Sequence, residues 1–145
     1  MTIDEEYAPS TQQWVRNHVD AIAEHGTTDV ATIRGLPVVL MTMRGARTGK
    51  VRKVPVMRVE HEGVYAVVAS QGGRPTHPGW YFNLKAGPNI TLQDGTQTHS
   101  YLVRELEGAE RDLWWERAVA AYSDYADYQT RTTRVIPVLL LERED

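Results

Sequence analysis

The chain has 145 residues, 41% of them hydrophobic and 24% charged, with a formal net charge of −3. That length suits one domain with one core, and the acidic balance argues against general affinity for nucleic acid. There is no cysteine, which excludes disulfides, thiolate metal ligands and cysteine nucleophiles. No apolar run approaches the ~18 residues of a membrane span, and the N-terminus lacks a signal-peptide pattern, so a cytoplasmic protein is expected.

Residues 1–9 are polar and read as a mobile tail. Ser10-Thr11-Gln12-Gln13 has the form of a capping box, with Ser10 as cap and Gln13 reaching back. Trp14, Val15, Val19, Ile22 and Ala23 then recur at helical spacing, and Gly26 closes the segment. The stripe predicts a helix packed on the core. A substrate lid or a membrane-surface helix is the sharper alternative, although the polar face of Arg16, Asp20 and Glu24 is not strongly basic. Residues 1–33 therefore divide off as a tail and helix able to act as a lid, ahead of a main domain over 34–145.

After a threonine-rich connector, Leu36 to Met43 is an apolar run of strand length, Arg44 to Lys50 a turn, and Val51 to Val59 a returning strand. Arg44, Arg47, Lys50, Arg52, Lys53 and Arg58 fall together, with no Asp or Glu between Asp29 and Glu60. In an acidic protein such a cluster points to a specific anionic partner rather than to an exposed basic hairpin. Arginine offers bidentate forks for phosphate or carboxylate, and lysine a point charge. Glu60 to Gly63 predicts a hairpin turn with His61 on the surface, and Val64 to Ala69 the next strand. No spacing of His, Asp and Glu resembles a metal site.

Ser70 to Lys85 organises the rest. It leaves that strand through Gly72-Gly73, where backbone N–H groups can face outward without a Cβ in the way. It then enters an aromatic-rich helix that Thr76 or His77 can cap, with Pro78 in the first turn. A glycine loop running into a helix N-terminus is a ready site for an anionic oxygen, although most Gly-Gly pairs are only turns.

Asn89 to Gln93 and Thr96 to Leu106 predict paired strands turning at Asp94-Gly95. Gly108 to Ala121 predicts a helix with Leu113, Trp114, Ala118, Val119 and Ala121 toward the core. Val135 to Leu141 reads as a last strand, with Pro137 at an edge or a bulge. Strands joined by short turns, with three helical segments inserted, favour an α+β fold whose mostly antiparallel sheet closes into a small barrel. No G-x-G-x-x-G follows a strand, which argues against a Rossmann nicotinamide site. Tyr122, Tyr125 and Tyr128 fall near one helical face. Leu or Ile is the commoner choice for a core stripe; phenols either pack simply or wall a pocket, stacking on a flat ligand and lending a proton to a reduced product.

Four motifs carry a resemblance to a known family: R-G-A-R-T-G-K-V-R-K-V-P at Arg44 to Pro55, A-S-Q-G-G at Ala69 to Gly73, H-P-G-W-Y-F-N-L at His77 to Leu84, and Y-S-D-Y-A-D-Y-Q-T-R-T at Tyr122 to Thr132. From about Leu36 to Glu142 the chain resembles the deazaflavin-dependent nitroreductase family of actinobacteria. The resemblance implies a split β-barrel of FMN-binding type with flanking helices, so that 34–145 would be a deazaflavin-binding domain. It implies an enzyme that passes hydride from reduced 8-hydroxy-5-deazaflavin, coenzyme F-420, to an electron-poor small molecule: a nitroimidazole, an activated enone such as a coumarin or furanocoumarin, or a quinone. By position, Arg47, Lys50 and Arg52 would hold the cofactor's phosphate and polyglutamate tail, and the implied binding set also takes in Ala46, Thr48 and Lys53. Val54, Pro55, Val56 and Met57 would line the ribityl chain and ring, as would Val68, Ala69, Ser70 and Gln71, and Gly79, Trp80, Tyr81 and Asn83. Ser70, Tyr122, Tyr125 and Tyr128 would form the catalytic, substrate side, with Tyr125 against the ring.

A deazaflavin has carbon in place of the reactive flavin nitrogen, so it passes hydride and resists one-electron chemistry. The protein needs no metal; it has to stack ring on acceptor, hold the hydride distance and polarise the acceptor oxygen. Three alternatives compete: an FMN-dependent split-barrel oxidase, to which the long basic turn is less suited; a non-catalytic deazaflavin-binding protein; and a barrel binding single-stranded nucleic acid, which the net charge disfavours. A monomer or homodimer is expected, without stable membrane insertion and with at most a peripheral contact at the inner membrane.

Overall fold

A computed structural model describes residues 6–144. The elements run α1 (Gln13–His25), β1 (Thr32–Ile33), β2 (Leu36–Arg44), β3 (Val51–Met57), β4 (Val59–His61) and β5 (Val64–Val68), then α2 (Gly79–Ala86), β6 (Asn89–Asp94), β7 (Gln97–Glu105), α3 (Gly108–Ala121), α4 (Asp124–Thr130) and β8 (Val138–Arg143). The strands pair antiparallel in the order β1-β2-β6-β7-β8-β5-β4, with β3 also on β2. β3 and β4 lie at two ends of this arrangement yet are separated in the chain only by Arg58. The sheet therefore curls back on itself, and the fold is the α+β split barrel expected.

The period of two along each strand explains why its apolar runs are unbroken. In β2, Val39, Met41 and Met43 fill the barrel with Tyr65 and Val67 of β5, Tyr101 and Val103 of β7, and Leu139 and Leu141 of β8. The alternate residues are covered from outside. Val38 and Leu40 meet Val15, Val19 and Ile22 of α1, while Ala66, Val68, Val138 and Leu140 meet Trp114 and Ala118 of α3 and Tyr122 and Tyr125 beyond it.

Several local expectations are corrected. Gln12, extended at φ −90° and ψ 125°, precedes α1 without a side-chain cap; Ser10 Oγ instead accepts the Gln12 N–H at 3.1 Å, so the capping box is out of register. Trp14 and Ala23 face solvent rather than the core. Pro78 is itself the residue before α2, because Thr76 Oγ1 accepts from Gln71 at 3.2 Å and the His77 ring is bound elsewhere. Leu113 is 45% exposed and Ala121 is exposed, since Trp114 and Ala118, four apart, set the buried face. The long strand after the basic turn breaks at Arg58, and the last strand starts only at Val138, beyond an exposed Val135. Asp94 pairs with Gln97, so Gly95-Thr96 makes the turn. Residues 1–5 of the expected mobile tail lie outside the described residues, but Glu6 to Ala8 are held. Val51 N–H donates to Glu6 O at 2.7 Å and Ala8 N–H to Val51 O at 2.8 Å, in a parallel bridge centred on Tyr7.

Candidate functional site

A cleft of about 850 Å³ opens where β2 turns into β3. Its walls are the Gly45–Thr48 turn, Arg52, Val54 and Pro55 of β3, Gln71 and Arg74 of the glycine loop, the start of α2, and Ser10, Thr11, Gln12, Trp14 and Val15 at the start of α1. The turn is tied from within and without. Gly45 N–H donates to Lys50 O at 2.7 Å, Lys50 N–H to Thr48 Oγ1 at 3.2 Å, and Ala46 N–H to Asn83 Oδ1 of α2 at 2.9 Å.

Strand alternation divides the basic cluster. Arg52 and Val54 face the cleft, whereas Lys53 points the other way, over the Tyr7 ring at 5.4 Å. Lys50 pairs with Glu6 at 3.3 Å, and Arg44 donates to Gly49 O at 3.1 Å. Arg58, about 20 Å along an extended chain from Arg52, binds both carboxylate oxygens of Asp94 at 3.0 and 2.9 Å. Six clustered cations in sequence thus become two on the cleft wall, Arg47 and Arg52. Arg74 joins them, a residue the sequence reading passed over although it adjoins the glycine pair. Among the described residues none of these three guanidinium groups has an ion-pair partner.

Of the residues proposed for cofactor binding, Ala46, Arg47, Thr48, Arg52, Val54, Pro55, Gln71, Gly79, Trp80 and Asn83 line the cleft. Val56, Met57, Val68 and Ala69 are buried in the two cores, and Ser70 is buried beside them. Tyr81 donates to Glu105 at 2.6 Å. The phenols are not on the cleft wall. Tyr122 and Tyr125 are buried beneath α3, the Tyr122 and Tyr128 hydroxyls share a hydrogen bond at 2.7 Å, and α4 packs behind the Gln71–Gly73 turn. Burial, then the adjoining phenols, hold the Tyr125 hydroxyl above its ordinary value, so it stays protonated. Phe82 and Trp14, at 52% and 47% exposure, stand at the cleft mouth.

Behind the glycine loop lies a network that sequence reasoning missed. Arg134 donates to Ser70 O at 2.8 Å, Ala69 O at 3.2 Å, Arg74 O at 2.9 Å and His77 Nδ1 at 3.0 Å. His77 stacks on Tyr81 with centroids 4.4 Å apart. Lys85 joins Tyr81 on Glu105 at 3.2 Å. Burial and the Arg134 cation hold His77 below its usual value; burial and Glu105 push Tyr81 up to about 12. Burial alone would raise Glu105, but hydrogen bonds from Tyr81 and Lys85 outweigh it and lower the carboxyl. Nothing in Thr-Arg-Val-Ile-Pro marks Arg134 as special before the fold is known.

The cleft can take an elongated ligand with a flat apolar part against Val54, Pro55 and Trp80 and an anionic part toward the arginines. A family model described as F420H(2)-dependent quinone reductase matches residues 14–143. The chain belongs to that family. It is an oxidoreductase, and its cofactor is coenzyme F-420. Quinones are among the acceptors that the motif resemblance implied, and the reduced deazaflavin is common to that resemblance and this family. An F420H(2)-dependent quinone reductase of Mycobacterium tuberculosis (strain ATCC 25618 / H37Rv) is 34% identical over 110 residues, covering 74% of each chain. A solved F420-H2 dependent reductase (FDR-A) is 56% identical with a TM-score of 0.70, over 73% of this chain and 94% of that one. A structure described as a domain-swapped dimer is 52% identical with a TM-score of 0.73, over 92% of this chain and all of the other. Among the described residues no helix is long and apolar enough to cross a membrane.

Proposed function

We propose that the cleft holds coenzyme F-420 and that the enzyme reduces quinone-type acceptors, with nitroimidazoles and activated enones as further members of the same electron-poor class. The observation that carries this reading is the set of three guanidinium groups, Arg47, Arg52 and Arg74, beside an apolar floor. They match a ligand with a flat ring at one end and phosphate and carboxylates at the other. When bound, the reduced cofactor supplies the hydride. The chain's own part is to grip the anionic tail with these arginines and pack the ring on Val54, Pro55 and Trp80. Asn83 acts indirectly, its carboxamide oxygen holding the Ala46 N–H. Ser70, Tyr122, Tyr125 and Tyr128 form the acceptor side. In support, the Tyr125 hydroxyl is buried with no hydrogen-bond partner among the described residues, and a buried unsatisfied hydroxyl calls for a ligand or water. The cleft-lining residues Ser10, Thr11, Gln12 and Trp14 favour a lid role for residues 1–33, and the domain-swapped relative favours a homodimer.

The test is a tryptophan-fluorescence titration with oxidised coenzyme F-420 and FMN in parallel, followed by turnover with a soluble naphthoquinone. Tighter deazaflavin binding is expected, weakened roughly tenfold by Arg52→Ala. Preference for FMN, or indifference to Arg52→Ala, rejects the site. Tyr125→Phe is expected to lower kcat, and full turnover would remove it from the proton path.

A further inference from the structure

We propose that Arg134 is a positioning residue for hydride transfer: it fixes the Ser70–Arg74 loop in the form that sets Gln71 and Arg74 into the cleft wall. This rests on the reading of the cleft as the deazaflavin site. Gln71, Gly72 and Gly73 have φ of +46°, +65° and +80°, three successive left-handed residues, the first of them carrying a side chain. Glycine takes that region freely, but Gln71 stays there only where surrounding structure over-determines it.

Arg134 supplies that constraint. Its guanidinium takes the carbonyls of Ala69 and Ser70 on one side of the left-handed run, Arg74 O on the other, and His77 Nδ1 at the entry to α2. Only a planar fork with five donors reaches all four acceptors at once; an ammonium does not. The cation has no carboxylate partner among the described residues, only carbonyls and a ring nitrogen, so its attachment is to the loop itself. In a trans peptide C=O and N–H point oppositely. Drawing the Ser70 carbonyl to Arg134 therefore turns the Gln71 N–H away from it, on a residue that lines the cleft. Arg134 itself is absent from the lining, so it acts through the loop.

Arg134→Ala, Arg134→Lys and Arg52→Ala would be compared by thermal unfolding, affinity for oxidised coenzyme F-420, and kcat and KM with reduced coenzyme F-420 and menadione. Both Arg134 variants are expected to lose roughly tenfold or more in kcat, with a smaller change in cofactor affinity than Arg52→Ala produces. Millimolar guanidinium is expected to restore part of the kcat of Arg134→Ala and none of that of Arg134→Lys at a temperature where both variants are fully folded, so that the recovered kcat is not recovered stability. Where Arg134→Ala does not fold, Arg134→Lys decides. Wild-type kcat in the folded variants, or a loss that only follows the folded fraction, overturns the inference alone, provided Arg52→Ala weakens cofactor binding. If Arg52→Ala does not, the reading of the cleft falls and this inference with it.

Discussion

His77 receives an N–H of Arg134 on Nδ1, which places its single proton on Nε2 and leaves no room for a second on Nδ1. Burial and the Arg134 charge accordingly lower its pKa from the ordinary 6.5. Below that ordinary value the unfolded chain takes up a proton before the folded chain does. Stability therefore rises with pH through the window beneath 6.5 and falls as acid is added through it. His77→Gln is expected to flatten this part of the profile, read as the unfolding midpoint across roughly pH 5 to 8; an unchanged slope would mean that His77 does not set it. At this scale the sequence was readable only in part. His77 drew notice as a helix cap, but its partner is 57 residues away, and no local pattern links the two.

Between elements, the glycine turn lies close against α4. A Cβ on Gly73 would lie 2.7 Å from Tyr128 O and 3.0 Å from Arg131 Cβ, at φ +80°, whereas one on Gly72, at φ +65°, would meet nothing within 4 Å. Both Ala variants carry left-handed strain of about 1 kcal/mol, but only Gly73→Ala also pushes α4 off the turn. We expect Gly73→Ala to cost about 2–4 kcal/mol in urea unfolding and Gly72→Ala clearly less; equal costs would show that the α4 contact is not what requires glycine. The strands and the glycine loop were legible because apolar runs and Gly-Gly are local signals. The position of the phenols was not. Tyr122 and Tyr125 are buried by the face that Trp114 and Ala118 present and by Ile136 and Leu140, so only their tertiary neighbours decide between packing and pocket.

For the molecule as a whole, the barrel follows from strands with two buried faces, and its family from motifs that span most of the chain. Which cations line the cleft was less plain, because a run of cations in sequence spreads along a strand and Arg58 ends at Asp94. One small feature lies apart from the cleft. β3 has β2 on one side, and on the other Glu6 to Ala8 occupy the N–H and C=O of Val51. An uncovered strand edge is a template for other chains. The segment covers this edge at Val51, and farther along β3 Pro55 has no N–H to offer. Removing residues 1–9 is expected to leave the barrel folded but raise self-association in light scattering with protein concentration, and a truncated chain that stays monodisperse would deny the segment this part. A strand that seals an edge within its own chain can seal the same edge of a neighbour, so an exchange of the Glu6–Ala8 arm between two copies would leave β3 covered in each.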